Sequence, residues 1–135
     1  MGKIVKGFLI DVHEPKKSNV VVFNDTLENI YEMLNVELID VAERQIGKHT
    51  YDIICDDEGL LKPNYPSAFD SKGQVQLVGS LLLVNHDDKG NFASLTEEQV
   101  QEIKENFRVC VVSNNEGKPR AYGALVNVEY IDYSA

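Results

Sequence analysis

The sequence predicts an α+β fold, a single domain over residues 1–135 with a mostly antiparallel mixed sheet of about six to seven strands and two helices. Three observations predict it. A chain of 135 residues with 43% apolar and 26% charged residues has the size and composition of one soluble core. Its apolar runs are short, rich in β-branched residues, and mostly follow one another with only turns between them, the order of hairpins rather than of βαβ units. Only two segments carry a helical period.

The elements follow in order. Residues 3–12 and 19–23 read as a strand pair, broken by the turn-forming stretch His13 to Ser18. Leu27, Ile30, Tyr31 and Leu34 fall at i, i+3, i+4 and i+7, which places them on one face of a first helix capped by Asp25 or Thr26, with Glu28 as the partner of Asp25 in a capping box. Val36–Ile46 and Thr50–Cys55 read as two strands around Gly47-Lys48-His49, and Asp56-Asp57-Glu58-Gly59 as an acidic turn. Leu60 to Gly73 holds Pro63 and Pro66 without a sustained period and reads as a long connection. Gln74–Val84 alternates throughout and reads as one central strand. After the polar loop 85–91, Ser94-Leu95-Thr96-Glu97 has the form of a capping box for a second helix ending near Asn106, with Leu95, Val100, Ile103 and Phe107 inward. Arg108–Ser113 and Ala124–Tyr133 close the chain as a hairpin joined through 114–119.

Charge restricts the functions available. With 13 Lys plus Arg against 22 Asp plus Glu the net charge is -9, which repels nucleic-acid phosphates and anionic lipids. Apolar runs such as Leu81–Val84 reach four residues, far short of the roughly 20 that span a bilayer. Met1 to Lys6 matches neither a secretory signal nor a myristoylation motif, so a cytoplasmic location is expected. Cys55 and Cys110 lie in β-like apolar runs and read as buried, reduced thiols.

No catalytic constellation assembles from the sequence. The loop Asn85 to Gly90 approaches a calcium-loop pattern, but Lys89 stands at a ligand place and Thr96 at the twelfth position. His13, His49 and His86 fall in predicted turns without metal-site spacing and read as solvent-exposed. Asp52, Asp56, Asp57, Glu58 and Asp70 are carboxylates whose pairing the sequence does not reveal. Nucleophile elbows and phosphate loops are absent, and neither a metal nor a cofactor is expected. The segment Lys62 to Phe69 remains distinctive, since two prolines stiffen a stretch carrying Lys62, Asn64, Tyr65 and Ser67.

The ordered runs Thr26 to Tyr31, Val36 to Ile39, Cys55 to Leu60, Pro63-Asn64, Val78 to Val84 and Ser94-Leu95-Thr96 resemble an uncharacterised domain-of-unknown-function family, the 3846 type. Its members occur mainly in phages, mobile elements and their bacterial hosts. The resemblance covers about residues 26–105, and Asn35-Val36 stands where members often carry a Gly-Gly pair. It implies an accessory protein that acts by binding a host component. One expectation is a homo-oligomeric, non-enzymatic binder that sequesters a small anionic, nucleotide-like defence signal, with Arg44, Lys62, Asn64, Tyr65 and Arg120 as ligand-binding residues. The alternative is an acidic inhibitor or DNA mimic that blocks a host defence protein, with carboxylates from Asp56 to Glu58 and from Glu97 to Glu105.

Overall fold

The computed structural model describes residues 3–61, 65–113, 116 and 119–131, and the side chains of these except at 60, 110–113 and 119–123. Ten strands and two α-helices run in the order β1 (Ile4–Ile10), β2 (Asn19–Asn24), α1 (Leu27–Leu34), β3 (Ile39–Ile46), β4 (His49–Asp56), β5 (Pro66–Phe69), β6 (Val75–Val78), β7 (Leu81–His86), β8 (Phe92–Ala93), α2 (Glu97–Glu105), β9 (Phe107–Ser113) and β10 (Pro119–Asn127). They form two sheets. The first has strand order β2-β1-β7-β4-β3, with β8 beside the end of β7, and the second has order β6-β5-β10-β9. Every pairing is antiparallel except β5 with β10. The α+β class holds, with more strands than expected and with two sheets in place of one.

Two features that apolar patterning could not reveal account for most of the difference, and the two-residue β8 for the rest. Gln74–Val84 is two strands, because Gly79 adopts φ +80 and turns the chain from the second sheet into the first. The connection 60–73 contains β5, whose short Pro-Ser-Ala-Phe sequence gives no periodic signal yet pairs with both β6 and β10. Boundaries also move. β3 begins at Ile39 rather than Val36, and β10 begins at Pro119 rather than Ala124.

The first sheet is buried on both faces. Phe8, Tyr51, Ile53, Leu81 and Leu83 point toward the second sheet and α2, where they meet Ala68, Ala124, Val126 and Ile103. Val5, Phe23, Ile54, Leu82 and Val84 point the other way, onto Ile30 and Leu34 of α1. The helix caps match their positions only in part. Thr26 caps α1 by accepting from the Asn29 amide, and the box on α2 is Thr96 with Gln99, two residues later than the Ser94-Glu97 pair. On α1, Ile30 and Leu34 are buried, whereas Leu27 is 57% exposed and lies off the core face.

The sheet's double burial sets the first prediction. Leu83→Ala removes side-chain atoms from a fully buried site and is expected to cost about 2–5 kcal/mol in urea denaturation. Leu27→Ala, on the same scale, is expected to stay within about 0.5 kcal/mol of wild type. Equal costs at the two positions would contradict the assigned core.

Candidate functional site

Three polar groupings stand out among the described residues. The first ties α2 to the β3–β4 hairpin. Gly47, at φ +61, turns the hairpin so tightly against Glu102 that a Cβ there would lie 2.6 Å from Oε2. Glu102 Oε2 accepts the Lys48 amide at 2.8 Å, and Oε1 accepts the Tyr51 hydroxyl at 2.5 Å and meets His49 Nδ1 at 2.8 Å. Burial works to raise the Glu102 pKa, but the donors from Tyr51, Lys48 and His49 outweigh it and hold the carboxyl below its ordinary value. The same burial, with the carboxylate beside it, raises the Tyr51 hydroxyl. His49 is therefore a half-buried strand residue with an oriented ring, not a solvated turn histidine.

The second grouping lies on the opposite face of the first sheet. Asp52 faces Glu43 directly across β3–β4, and His86 Nδ1 stands 3.4 Å from Asp52 Oδ1. The ring nitrogen is buried and, at this distance and angle, makes no well-formed hydrogen bond. Burial raises the Asp52 pKa, and the Glu43 charge adds to it, while His86 opposes both. His86 is thus also no turn histidine, since it belongs to β7. His13 alone of the three is exposed.

The third grouping is an acidic end built around the turn after β4. A cleft of about 250 Å³ is lined by Asp40, Asp56 and Asp57, with Cys55, Gly59 and the β6 residues Val75 to Val78. Beyond the same turn a wider hollow of about 500 Å³ is lined by Glu32, Glu37 and Glu58 with Tyr31, Asn35 and Val36. The turn is joined to the start of β3 by the Asp57 amide, which donates to the Leu38 carbonyl at 3.1 Å. Apolar side chains sit among the acids, with Leu38 and Val75 each 49% exposed and Leu61 83% exposed. The Cys55 thiol is buried as expected, and burial together with Asp40 and Asp56 pushes its pKa up to about 11.

Of the five residues expected to bind a ligand, only Arg44 and Tyr65 have described side chains. Arg44 donates from Nε to Gln76 Oε1 at 3.2 Å and from Nη1 to the Glu43 carbonyl at 2.9 Å, with its guanidinium 5.1 Å from the Tyr130 ring centre. None of these partners belongs to the Tyr65 loop. Tyr65 is 53% exposed just before β5. Lys62 and Asn64 lie outside the described residues, as does the side chain of Arg120. Sequence reading missed the Glu102 network and the Asp52–His86 contact, because each joins residues more than 30 positions apart. One signal was available for the hairpin, the Gly47-Lys48 pair flanked by alternating apolar residues. The calcium-like loop spends its carboxylate on itself, since Asp87 Oδ1 accepts the Lys89 and Asn91 amides, each at 2.9 Å. No group of three or more metal-ligating side chains occurs among the described residues.

The family model described as domain of unknown function (DUF3846) matches residues 5–108, and the chain belongs to that family. No curated protein and no solved structure matches it. No helix among the described residues is long and apolar enough to cross a membrane.

The two buried carboxylates predict opposite pH responses. Because the Glu102 pKa is depressed on folding, its stabilisation is present above the ordinary value of 4.5 and is lost as pH falls through the folded value. Glu102→Gln is expected to lower the melting temperature at pH 7, the difference from wild type shrinking toward acid. The Asp52 pKa is raised above 3.8, so its ionised form costs stability at neutral pH. Asp52→Asn is expected to raise the melting temperature at pH 7 and to lose that advantage below about pH 4. Thermal melts of both variants from acid to neutral pH check the signs, and parallel curves would refute them.

Proposed function

We propose that the protein is a non-enzymatic binding module whose acidic end occupies a basic, partly apolar surface of another protein. One observation carries the reading. Among the described residues, the two clefts flanking the 56–59 turn are lined by three carboxylates each and by no Lys, Arg or His. Carboxylates gathered in concave surface focus their field outward and attract a cationic partner. The exposed Leu38, Leu61 and Val75 supply what charge alone does not, apolar anchors that lose water on contact. The narrower cleft, at about 250 Å³, is smaller than the roughly 300–1,000 Å³ of small-molecule pockets and suits one inserted side chain better than a nucleotide. The α2 residues Glu97, Glu98 and Glu105 are exposed too, but α2 meets the other end of the β3–β4 hairpin, where Glu102 holds Lys48 and His49. In the phage or mobile-element setting that the family resemblance implies, the partner would be a host defence protein held in a blocked state.

Sequestration of an anionic, nucleotide-like signal is the second reading, supported by the Arg44 guanidinium over the Tyr130 ring. It is the weaker of the two. Two donor groups of that guanidinium already serve Gln76 and the Glu43 carbonyl, so binding a phosphate there would first break contacts within the protein.

Titration of the labelled protein with a peptide rich in Arg and Leu, followed by amide chemical shifts, separates the readings. The expected outcome is saturable shifts at residues 37–41, 55–59 and 75–78, with binding about tenfold weaker or worse in the Asp40→Asn, Asp57→Asn double variant and weaker again in high salt. Small shifts spread evenly over the surface, or undiminished binding by the double variant, would defeat the proposal. Saturable shifts around Arg44 and Tyr130 on adding a mixture of nucleotides would favour the second reading instead.

A further inference from the structure

We infer that two copies of the chain associate through the outer edge of β9, antiparallel about a two-fold axis, to make one continuous sheet. The inference is independent of the acidic end and rests on how the β9 edge differs from the two edges of the first sheet.

β9 and β10 pair from Val126 opposite Phe107 to Pro119 opposite Ser113, but β5 joins β10 only at Val126 and Asn127. Over most of its length the pair is therefore a two-stranded ribbon, with β9 the terminal strand of its sheet. A two-stranded ribbon alone is marginal in water and gains stability from a third strand. After Arg108 the strand reads Val-Cys-Val-Val-Ser, without charge or proline, so it lacks the residues that deter edge pairing.

Both edges of the other sheet are guarded. On β2, Asn19 Oδ1 accepts the Val20 amide at 2.8 Å and Asn29 Nδ2 donates to the Asn24 carbonyl at 3.1 Å. On β3, Asp40 Oδ1 accepts the Val41 amide at 2.9 Å, Arg44 Nη1 donates to the Glu43 carbonyl, and Glu129 bonds Gln45 through both backbone groups. These side chains and the Glu129 bridge occupy several of the groups that a foreign strand would need. On β9 the described side chains, Phe107, Arg108 and Val109, make no such bond to the edge, and the rest of the strand carries no Asn, Asp or Arg that could.

The phase of the ribbon identifies the groups that remain. The Asn127 amide donates to the Asn106 carbonyl at 2.9 Å, so by antiparallel alternation Arg108, Cys110 and Val112 bond to β10. Val109 and Val111 then direct their backbone N–H and C=O groups outward. Two such edges, placed antiparallel and centred on Val111, satisfy one another with a single register, which is the self-complementarity that a two-fold contact requires. The repulsion between two copies of net charge -9 is least where the edge has no carboxylate.

Size-exclusion chromatography with light scattering, on the full chain over a range of concentrations, tests this. The expected mass is twice 15.2 kDa. Val111→Pro removes an outward N–H without touching a bond within the ribbon, and is expected to shift the protein to monomer with unchanged far-ultraviolet dichroism. Val109→Lys, at a 40% exposed position, stands opposite Ser113 of the second copy and puts an ammonium group into an otherwise uncharged edge contact, which is expected to raise the dimer dissociation constant at least about tenfold. If Val111→Pro fails to fold, Val109→Lys decides. Val22→Lys on the guarded β2 edge is expected to leave the dimer intact. A monomeric wild type, or a dimer that survives both β9 variants, would overturn the inference.

Discussion

The strand β7 is the constraint on which the rest of the structure depends. Leu81, Leu82, Leu83 and Val84 are all fully buried, and alternation sends them in turn to two different cores. A strand with no solvent face needs a cover on each side. The second sheet and α2 supply one cover and α1 the other, so the layering follows from four consecutive apolar residues. β7 also pairs with β1, β4 and β8, which makes it the hub of the hydrogen-bonded ladder. Its backbone is approached so closely by β1 that a Cβ on Gly7 would lie 2.9 Å from the Leu83 carbonyl oxygen.

The same layering explains why two carboxylates on neighbouring strand and helix positions behave differently. Glu102 and Asp52 are both largely withdrawn from water, and burial disfavours the charge on each. What separates them is the supply of donors. Glu102 reaches a hairpin tip, where an amide, a hydroxyl and a ring nitrogen converge on it. Asp52 lies mid-strand with its amide used in the sheet, beside another carboxylate and an imidazole that makes no well-formed hydrogen bond to it. A tertiary tie that locks α2 and a strained pair under the other face thus arise from one rule about unsatisfied charge.

How much of this the sequence displayed depends on the range over which each signal acts. Local signals were legible. The hairpin at Gly47-Lys48, the acidic turn at Asp56 to Gly59, the core positions Ile30, Leu34, Val100 and Ile103, and the buried thiol of Cys55 all stand as periodicity and turn chemistry suggest. Elements whose identity depends on distant partners were not legible. β5 is a strand because β6 and β10 flank it, and Gly79 divides an alternating run because two sheets meet there. His49 and His86 were misread for the same reason, since Glu102 and Asp52 reach them only through the fold. The contacts of Arg44 with Gln76 and with Tyr130, at the far end of the chain, were likewise invisible in the sequence, because only the fold brings these residues together.

The acidity of the chain looks different once its carboxylates are placed. Asp11, Asp40, Asp56, Asp70 and Asp87 each use an oxygen to accept a backbone amide within four residues, which fixes turns and guards an edge. Part of the charge is therefore the by-product of turn chemistry rather than a surface selected for its field. Asp40 and Asp56 belong to both classes, for they hold the Val41 and Glu58 amides and also line the narrow cleft. A carboxylate anchored in this way keeps its charge at a fixed position and loses little side-chain freedom when a cation approaches. An amide oxygen accepts the same backbone bond, so replacing Asp40 by Asn removes the charge while preserving the acceptor. The structural and electrostatic contributions of the acidic end are thereby separable at a single residue.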